Sequence, residues 1–376
     1  MSYGPGTGHE DDRQRTTDSN VAATQLLTHA CSSKMRSLFR SLFLQALACA
    51  LLSAAALGSE HKPLQIFFID VEGGQATLVV TPSGQTILID TGWPGFDGRD
   101  AGRIVSAAKT AGISSIDYVL ITHFHRDHVG GVTQLAGQMK VGTFIDHGPN
   151  MEDADDPRQD FAAYEKVASH SKRVVVKPGD QIPMKGISVQ ILTAAGGHLS
   201  APLPGAGQPN SLCASEPEAA VDTTENSRSI GTLITFGKFH FLDLGDLTKR
   251  KERELVCPNN LIGTVDLYLT THHGLNQSNA KVLVDAIHPR VSIMNNGAHK
   301  GGSPDAWETI HNSPGLQDLW QLHYALDSDK AHNFSEMFIA NLDENCEGKY
   351  IKVTAEPSGT FTVWNSRNNY KKTYSK

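Results

Sequence analysis

The chemistry-bearing residues of this chain crowd into one short run, His123-Phe124-His125-Arg126-Asp127-His128. It follows an apolar, β-branched stretch, Tyr118–Thr122 (YVLIT), and precedes Gly130-Gly131. Such a stretch reads as a buried strand, so the histidines begin where a strand ends. Residues two apart in extended backbone point to the same side, which puts His123 and His125 together. Asp127 and His128 turn away where the chain tightens before the glycine pair. Four ligand-type side chains then leave one loop, enough to serve two adjacent cations. Imidazole nitrogen and carboxylate oxygen suit Zn2+, and also Mn2+ or Fe. A solvated His-rich loop would have no reason to follow a buried strand.

The run resembles the HxHxDH signature of the metallo-β-lactamase superfamily of metal-dependent hydrolases, and other segments agree with that family in order. Leu88–Gly92 (LIDTG) resembles the motif after the early strands, whose Asp90 would orient a ligand histidine from behind. Leu244–Leu247 (LGDL) resembles the strand-end motif whose Asp246 would lie between both metals. Thr270–Gly274 (TTHHG) resembles the late-strand motif whose histidine completes the second metal. The HHG form, the opening FIDVEGGQA (Phe68–Ala76) and Asn226-Ser227 are similar to the ComEC-like branch, the soluble hydrolase domain of DNA-uptake proteins. The branch's usual GQGDA reads EGGQA here (Glu72–Ala76), without its Asp.

Residue by residue, the resemblance implies His123 and His125 on metal one, and Asp127, His128 and one of His272 or His273 on metal two. Consecutive residues in extended backbone cannot easily both reach one ion, so the other histidine would face substrate. Many relatives have a third histidine on metal one. His147, at the end of a later strand, is favoured for it over His198 in an irregular loop, and some relatives in this branch lack that ligand. The implied fold is an α/β, αββα sandwich of two mixed β-sheets flanked by helices. The implied cofactors are two divalent ions, Zn2+ first, with Mn2+ or Fe as alternatives. Such a pair lowers the pKa of a shared water so that a bridging hydroxide attacks at neutral pH, with Asp127, Asp246 and His273 as the catalytic set. His299 and His323 read as structural, and Arg228 as either a contact for an anionic substrate or an ordinary ion pair.

The elements that must position these residues follow from hydrophobic patterning. Leu64–Val71, Thr77–Val80 and Thr86–Asp90 are short β-branched or aromatic runs separated by Gly73-Gly74 and Pro82-Ser83-Gly84, predicting strands joined by tight turns. Arg103–Ala111 carries helical spacing and stops at Gly112, and Val129–Met139 predicts a second helix. Strands are predicted at 142–146, 174–176, 187–193, 231–236, 239–244, 266–271, 291–294 and 350–356, and helices at 280–286 and 316–322. Residues 194–228 are rich in Gly, Pro, Ala and Ser and fit no element; so long an insert in a compact domain predicts a functional lid.

The 376 residues carry 34 Gly, 17 Pro, 5 Cys and 17 His, with 39% hydrophobic and 19% charged, a composition that excludes disorder, collagen-like repeats and coiled coil. Residues 1–34 read as disordered or as upstream sequence. From Met35, Arg36 and Arg40 precede an apolar run, Leu42–Leu52, and then small residues, the order of a secretory signal peptide. The run is too short for a spanning helix, which needs about 20 apolar residues. The working protein is therefore expected to be a single domain over 59–376, secreted or periplasmic, free of the membrane after cleavage. Removing 1–58 takes away 5 Lys/Arg and 4 Asp/Glu, leaving 28 against 36, so a formal charge of −7 becomes about −8. Long nucleic acids are poor electrostatic partners for such a surface. Cys213, Cys257 and Cys346 remain, which allows one disulfide of unassigned pairing.

These readings converge on a secreted binuclear metal hydrolase acting on a small anionic or ester substrate, first a phosphoester or phosphodiester. The alternatives are a lactone or β-lactam hydrolase, or a non-catalytic metal- or surface-binding module on the same scaffold. The last gains if neither His147 nor His198 reaches His123.

Overall fold

The computed structural model describes residues 62–376. The upstream segment and the signal pattern fall in 1–61, outside the described residues.

Six strands open the first sheet: β1 (Leu64–Phe68), β2 (Thr77–Val80), β3 (Thr86–Ile89), β4 (Ser115–Leu120), β5 (Lys140–Asp146) and β6 (Lys172–Val175). The second sheet holds β7 (Gln181–Ile182), β8 (Ser188–Ala194), β9 (Gly197–His198), β10 (Gly231–Phe236), β11 (Phe239–Asp243), β12 (Leu267–Leu269), β13 (Val291–Met294), β14 (Asp318–His323) and β15 (Ile339–Asn341). The chain then returns to the first sheet with β16 (Ile351–Ala355), β17 (Phe361–Asn365) and β18 (Lys371–Tyr374). The first sheet runs β18-β17-β16-β1-β2-β3-β4-β5-β6, and the second β15-β14-β13-β12-β11-β10-β8-β7 with β9 on β8. Both are mixed: β3 to β6 and β11 to β15 are parallel, while the hairpins are antiparallel.

Strand β1 shows how sequence builds the layers. Leu64, Ile66 and Phe68 enter the core between the sheets, where Phe241, Leu267, Ile293 and Trp320 meet them. The intervening Phe67 packs outward with Leu88, Ile104 and Phe124 under helix α1 (Arg99–Thr110) and the short helices α2 (Arg126–Val129) and α3 (Val132–Ala136). That alternation is the two-residue period of a strand buried on both faces. Each large apolar side chain so buried stabilises the fold by roughly 1.5–3 kcal/mol. Helix α4 (Asp155–Ala168) covers the same face through Tyr164 and Ala168. Helices α5 (Lys249–Glu254), α6 (Lys281–Ile287) and α7 (Pro304–His311) cover the second sheet, with Leu283, Ile287 and Ile310 against Leu242, Tyr268 and Leu319. Two mixed sheets flanked by helices, the αββα sandwich, is therefore the fold.

One predicted element changes type. Residues 316–322, expected as helix, contain strand β14, every residue of which is buried between β13 and β15. A short apolar run has the same composition in a buried strand as in a buried helix, and here the sheet neighbours decide. The insert also has more structure than its composition suggests. It carries β9 and two 3-10 turns, Ser211–Ala214 and Glu225–Arg228, and a Cys213–Cys257 disulfide ties it to the chain after α5.

Candidate metal centre

The parallel strands β3, β4, β11, β12 and β13 all point their carboxyl ends to one edge of the sandwich, where open α/β sheets characteristically place their ligands. Asp90 follows β3, His123 and His125 follow β4, and Asp127 and His128 form the first turn of α2. Asp246 follows β11, His272 and His273 follow β12, and Lys300 follows β13. Gly74, from the loop after β1, lies so close to this turn that an added Cβ would come 2.4 Å from the Asp127 carbonyl oxygen.

Asp127, His128, Asp246 and His273 present one ligand atom each within 4.8 Å of one another, and all four are buried. His128 Nε2 lies 3.2 Å from Asp127 Oδ2, from Asp246 Oδ2 and from His273 Nε2. His273 Nε2 lies 3.2 Å from Asp127 Oδ2 and 3.4 Å from Asp246 Oδ1. The other Asp246 oxygen faces His272 Nε2 at 3.3 Å and His123 Nε2 at 3.9 Å. His123 and His125 stack edge to face with ring centres 4.7 Å apart. Thus His123, His125, Asp127, His128, Asp246, His272 and His273 converge, with Asp246 between two clusters of imidazoles.

Both histidines of the HHG motif reach Asp246 because the backbone there is not extended. His272 and His273 have φ of 56° and 55°, two consecutive non-glycine residues in the left-handed region. Each such residue costs on the order of 1–3 kcal/mol, and the turn sends the two rings to different oxygens of one carboxylate.

His147 and His198 do not join the group. His147 Nε2 bonds Glu225 Oε2 at 2.9 Å, and its ring packs on Phe124, which points away from the flanking histidines. His198 is exposed beside Glu254 at 3.2 Å. His299 is exposed on Asp327, buried His323 faces Asp70, and Arg228 lies 4.0 Å from Glu225. Three side chains that the sequence spacing does not mark stand near the centre instead. Glu152 Oε1 is 3.1 Å from His125 Nε2 and accepts from the Glu225 amide at 2.8 Å. Glu225, fully buried, accepts from the amides of Phe124 and Met151. The Lys300 ammonium bonds Asp127 and lies 4.8 Å over the Trp93 ring. The acidic stretch Met151-Glu152-Asp153 just after β5 is the one sequence signal for Glu152.

Electrostatics favours a cation here. Burial, the largest single influence, works to raise Asp127 and Asp246, but their neighbours together outweigh it, His128 and Lys300 at Asp127 and His128, His273 and His272 at Asp246, so both carboxyls fall well below the ordinary carboxylate range. Burial, reinforced by His128 and His125, holds His123 well below the ordinary imidazole value. Burial likewise takes His272 down to about 4. His123 Nε2 and Asp246 Oδ1 are buried and have no hydrogen-bond partner. His128, among Asp246, Asp127 and Asp90, is instead held well above the ordinary imidazole value, a proton that a bound cation would displace. Ionised carboxylates, unprotonated His123 and His272 and two orphaned buried ligand atoms at one point match the donor set of a divalent metal.

Residues 69–204 match the family model described as metallo-beta-lactamase superfamily, and the chain carries a domain of that superfamily. Its sequence relatives support the ComEC-like branch. The chain is 25% identical over 235 residues to Recombination protein 2 of Haemophilus influenzae, covering 62% of this chain and 24% of that protein. It is 24% identical over 249 residues to ComE operon protein 3 of Bacillus subtilis, covering 62% and 28%. The chain thus spans about a quarter of the length of these relatives. Among solved structures it is similar to the metallo-beta-lactamase fold protein YhfI from Bacillus subtilis, at 13% identity and a TM-score of 0.42 over 69% of this chain and 96% of that one. No helix among the described residues is long and apolar enough to cross a membrane.

Proposed function

We propose that this protein is a secreted binuclear metal-dependent hydrolase whose substrate is a phosphoester or phosphodiester. The observation that carries this reading is the buried convergence of Asp127, His128, Asp246 and His273 with orphaned ligand atoms beside it. Asp127, His128 and His273 would hold one ion and His123 and His125 the other, with Asp246 offering an oxygen to each. Glu152, beside His125, supplies a carboxylate on the side where His147 and His198 are missing, so their absence does not empty that position. Two bound divalent ions would supply Lewis-acid activation of a water and of the scissile group.

The chain's own residues then divide the remaining work. Asp127 and Asp246 stay ionised and offset cationic charge. His272, with Nδ1 3.2 Å from the Ser278 hydroxyl, which itself donates to the Leu247 carbonyl, turns an unprotonated Nε2 toward the centre. At neutral pH that nitrogen stays unprotonated and offers a lone pair. Lys300 is the cationic group at the rim, and it joins the centre to a cleft of about 560 Å3 lined also by Trp93, Glu72 and Glu344 and by Arg99 and Arg103, which are paired to Asp100 and to Asp70 and Glu72. Cationic groups aimed at developing negative charge favour a phosphoryl oxygen over a neutral ester. The Cys213–Cys257 disulfide supports an oxidising compartment, as does the signal pattern from Met35.

The test pairs metal content with a hydrolysis screen. Purified protein is expected to hold two divalent ions per chain and to cleave a generic phosphodiester such as bis(p-nitrophenyl) phosphate faster than a lactone or a β-lactam. Asp246→Asn is expected to abolish turnover with the far-ultraviolet circular dichroism unchanged. Well under one metal per chain, with no hydrolysis after Zn2+ or Mn2+ addition, would sink the hydrolase reading; lactone or β-lactam cleavage alone would overturn the substrate class.

A further inference from the structure

We infer that Asp70, Glu72, His323 and Cys346 form a second metal site, separate from the candidate metal centre, that takes a borderline-soft divalent ion of the Zn2+ type. One ligand atom from each of these four residues lies within 4.8 Å of the others. Asp70 and Glu72 follow β1, His323 ends β14, and Cys346 lies between β15 and β16. Three segments separated in sequence therefore bring nitrogen, sulfur and two carboxylates to one point.

The spacing fits a tetrahedral ion. Ligands about 2.0–2.3 Å from such a metal stand about 3.3–3.8 Å from one another. Here His323 Nε2 is 3.2 Å from Glu72 Oε2 and 2.8 Å from Asp70 Oδ1. Cys346 Sγ is 3.3 Å from Asp70 Oδ2, 3.4 Å from Glu72 Oε1 and 4.0 Å from His323 Nε2.

The surroundings supply what a metal site needs beyond ligands. Arg103 bonds Asp70 Oδ2 at 2.8 Å and Glu72 Oε1 at 2.9 Å and lies 3.6 Å from Cys346 Sγ, so one guanidinium ties the two carboxylates beside the thiol. Burial, Asp70 and Glu72 push the Cys346 thiol up to about 12, so a metal would bind with release of its proton to solvent; two carboxylates and the resulting thiolate against one guanidinium then carry a formal charge of two minus, which one divalent ion cancels. Asp70 and His323 are buried, while Glu72 and Cys346 line the cleft of about 560 Å3, so an ion has a route from solvent. A thiolate with imidazole and carboxylate selects Zn2+ over Mg2+ or Ca2+. Because β1 belongs to one sheet and β14 to the other, an ion here would clamp the two sheets at the edge that carries the candidate metal centre.

Cobalt(II) distinguishes this site from the candidate metal centre, whose converging side chains offer only nitrogen and oxygen. Full-length protein titrated with Co2+ is expected to develop a near-ultraviolet thiolate-to-cobalt charge-transfer band. The band should persist in Asp246→Asn and vanish in Cys346→Ser, which also excludes Cys31 and Cys49 as its source. Alkylation of Cys346 should slow at least tenfold when Zn2+ is bound. His323→Gln, a second route should Cys346→Ser fail to fold, is expected to weaken Co2+ binding at this site at least tenfold. A folded wild type with no such band, or a band that survives in Cys346→Ser, overturns the assignment.

Discussion

His128 Nδ1 lies 2.7 Å from Asp90 Oδ2, a buried bond that turns the opposite nitrogen of the ring toward Asp127, Asp246 and His273. Asp90 itself is held by the amide and hydroxyl of Thr122 at 2.7 and 2.6 Å, so the orientation passes from the end of β4 through Asp90 to His128. A carboxylate behind a ligand histidine fixes its tautomer and raises its basicity. Asp90→Asn is therefore expected to weaken metal binding about 10–100-fold with little change in secondary structure. Competition with a chromophoric chelator measures this; unchanged affinity would show that His128 does not depend on Asp90.

The Cys213–Cys257 bond closes a loop of 44 residues that begins inside the insert and ends after α5. Chain-entropy arguments give about 4 kcal/mol for a loop of that size, and typical measured values are about 2–4 kcal/mol. The double variant Cys213→Ser/Cys257→Ser is expected to lose that much stability in urea unfolding. Wild type should lose a similar amount on adding reductant, and the double variant should not respond to it.

Tyr374, in the last strand of the first sheet, accepts from Trp320 Nε1 at 3.0 Å and donates to Asp318 Oδ2 at 2.7 Å, both in β14 of the second. Its hydroxyl is a polar link across the core. Tyr374→Phe leaves the buried Trp320 N–H without its partner, which costs about 1–3 kcal/mol. Equilibrium unfolding should show a lower midpoint with unchanged slope, and no loss of stability would mean the hydroxyl is dispensable.

Glu252 is fully buried under α6, accepting from the amides of Asn279 and Ala280 at 3.0 and 2.7 Å. Burial pushes its carboxyl up to about 7 from an ordinary value of 4.5. Between those values the unfolded chain releases the proton while the folded chain keeps it, so this group makes stability fall as pH rises from about 4.5 to about 7. Below the window it exacts nothing, and above it the loss is constant. Glu252→Gln should flatten that part of the stability–pH curve by on the order of 1–3 kcal/mol. Urea melts of both proteins at pH 5 and pH 8 give the difference; parallel curves would show that Glu252 does not titrate there.

The share of this site legible in the sequence follows chain separation. His123 to His128 sit on adjacent positions after a buried strand, so local periodicity suffices to bring them together. Glu152 reaches His125 across 27 residues, Glu225 reaches His147 across 78, and Lys300 reaches Asp127 across 173. Apart from the acidic stretch around Glu152, nothing in their own neighbourhoods encodes those contacts. His147 shows the converse: its strand-end position is as expected, but a glutamate from the insert claims its nitrogen. Helix α4 is hard to read because it buries only Tyr164 and Ala168, leaving little periodicity. Strand β17 does carry the signal, with Phe361, Val363 and Asn365 buried in alternation.

The pairing of β1 with β16 has a consequence for biogenesis. Leu64 stands opposite Ala355 and Phe68 opposite Ile351, so β1, the first strand of the described residues, finds this partner only after nearly the whole chain has been made. Until then, one edge of β1 presents unpaired amides and carbonyls, the kind of edge on which other chains can add. Long-range pairing of this kind folds slowly. Closure of the sandwich therefore waits on the last strands of the chain, and β1 depends until then on its hairpin with β2.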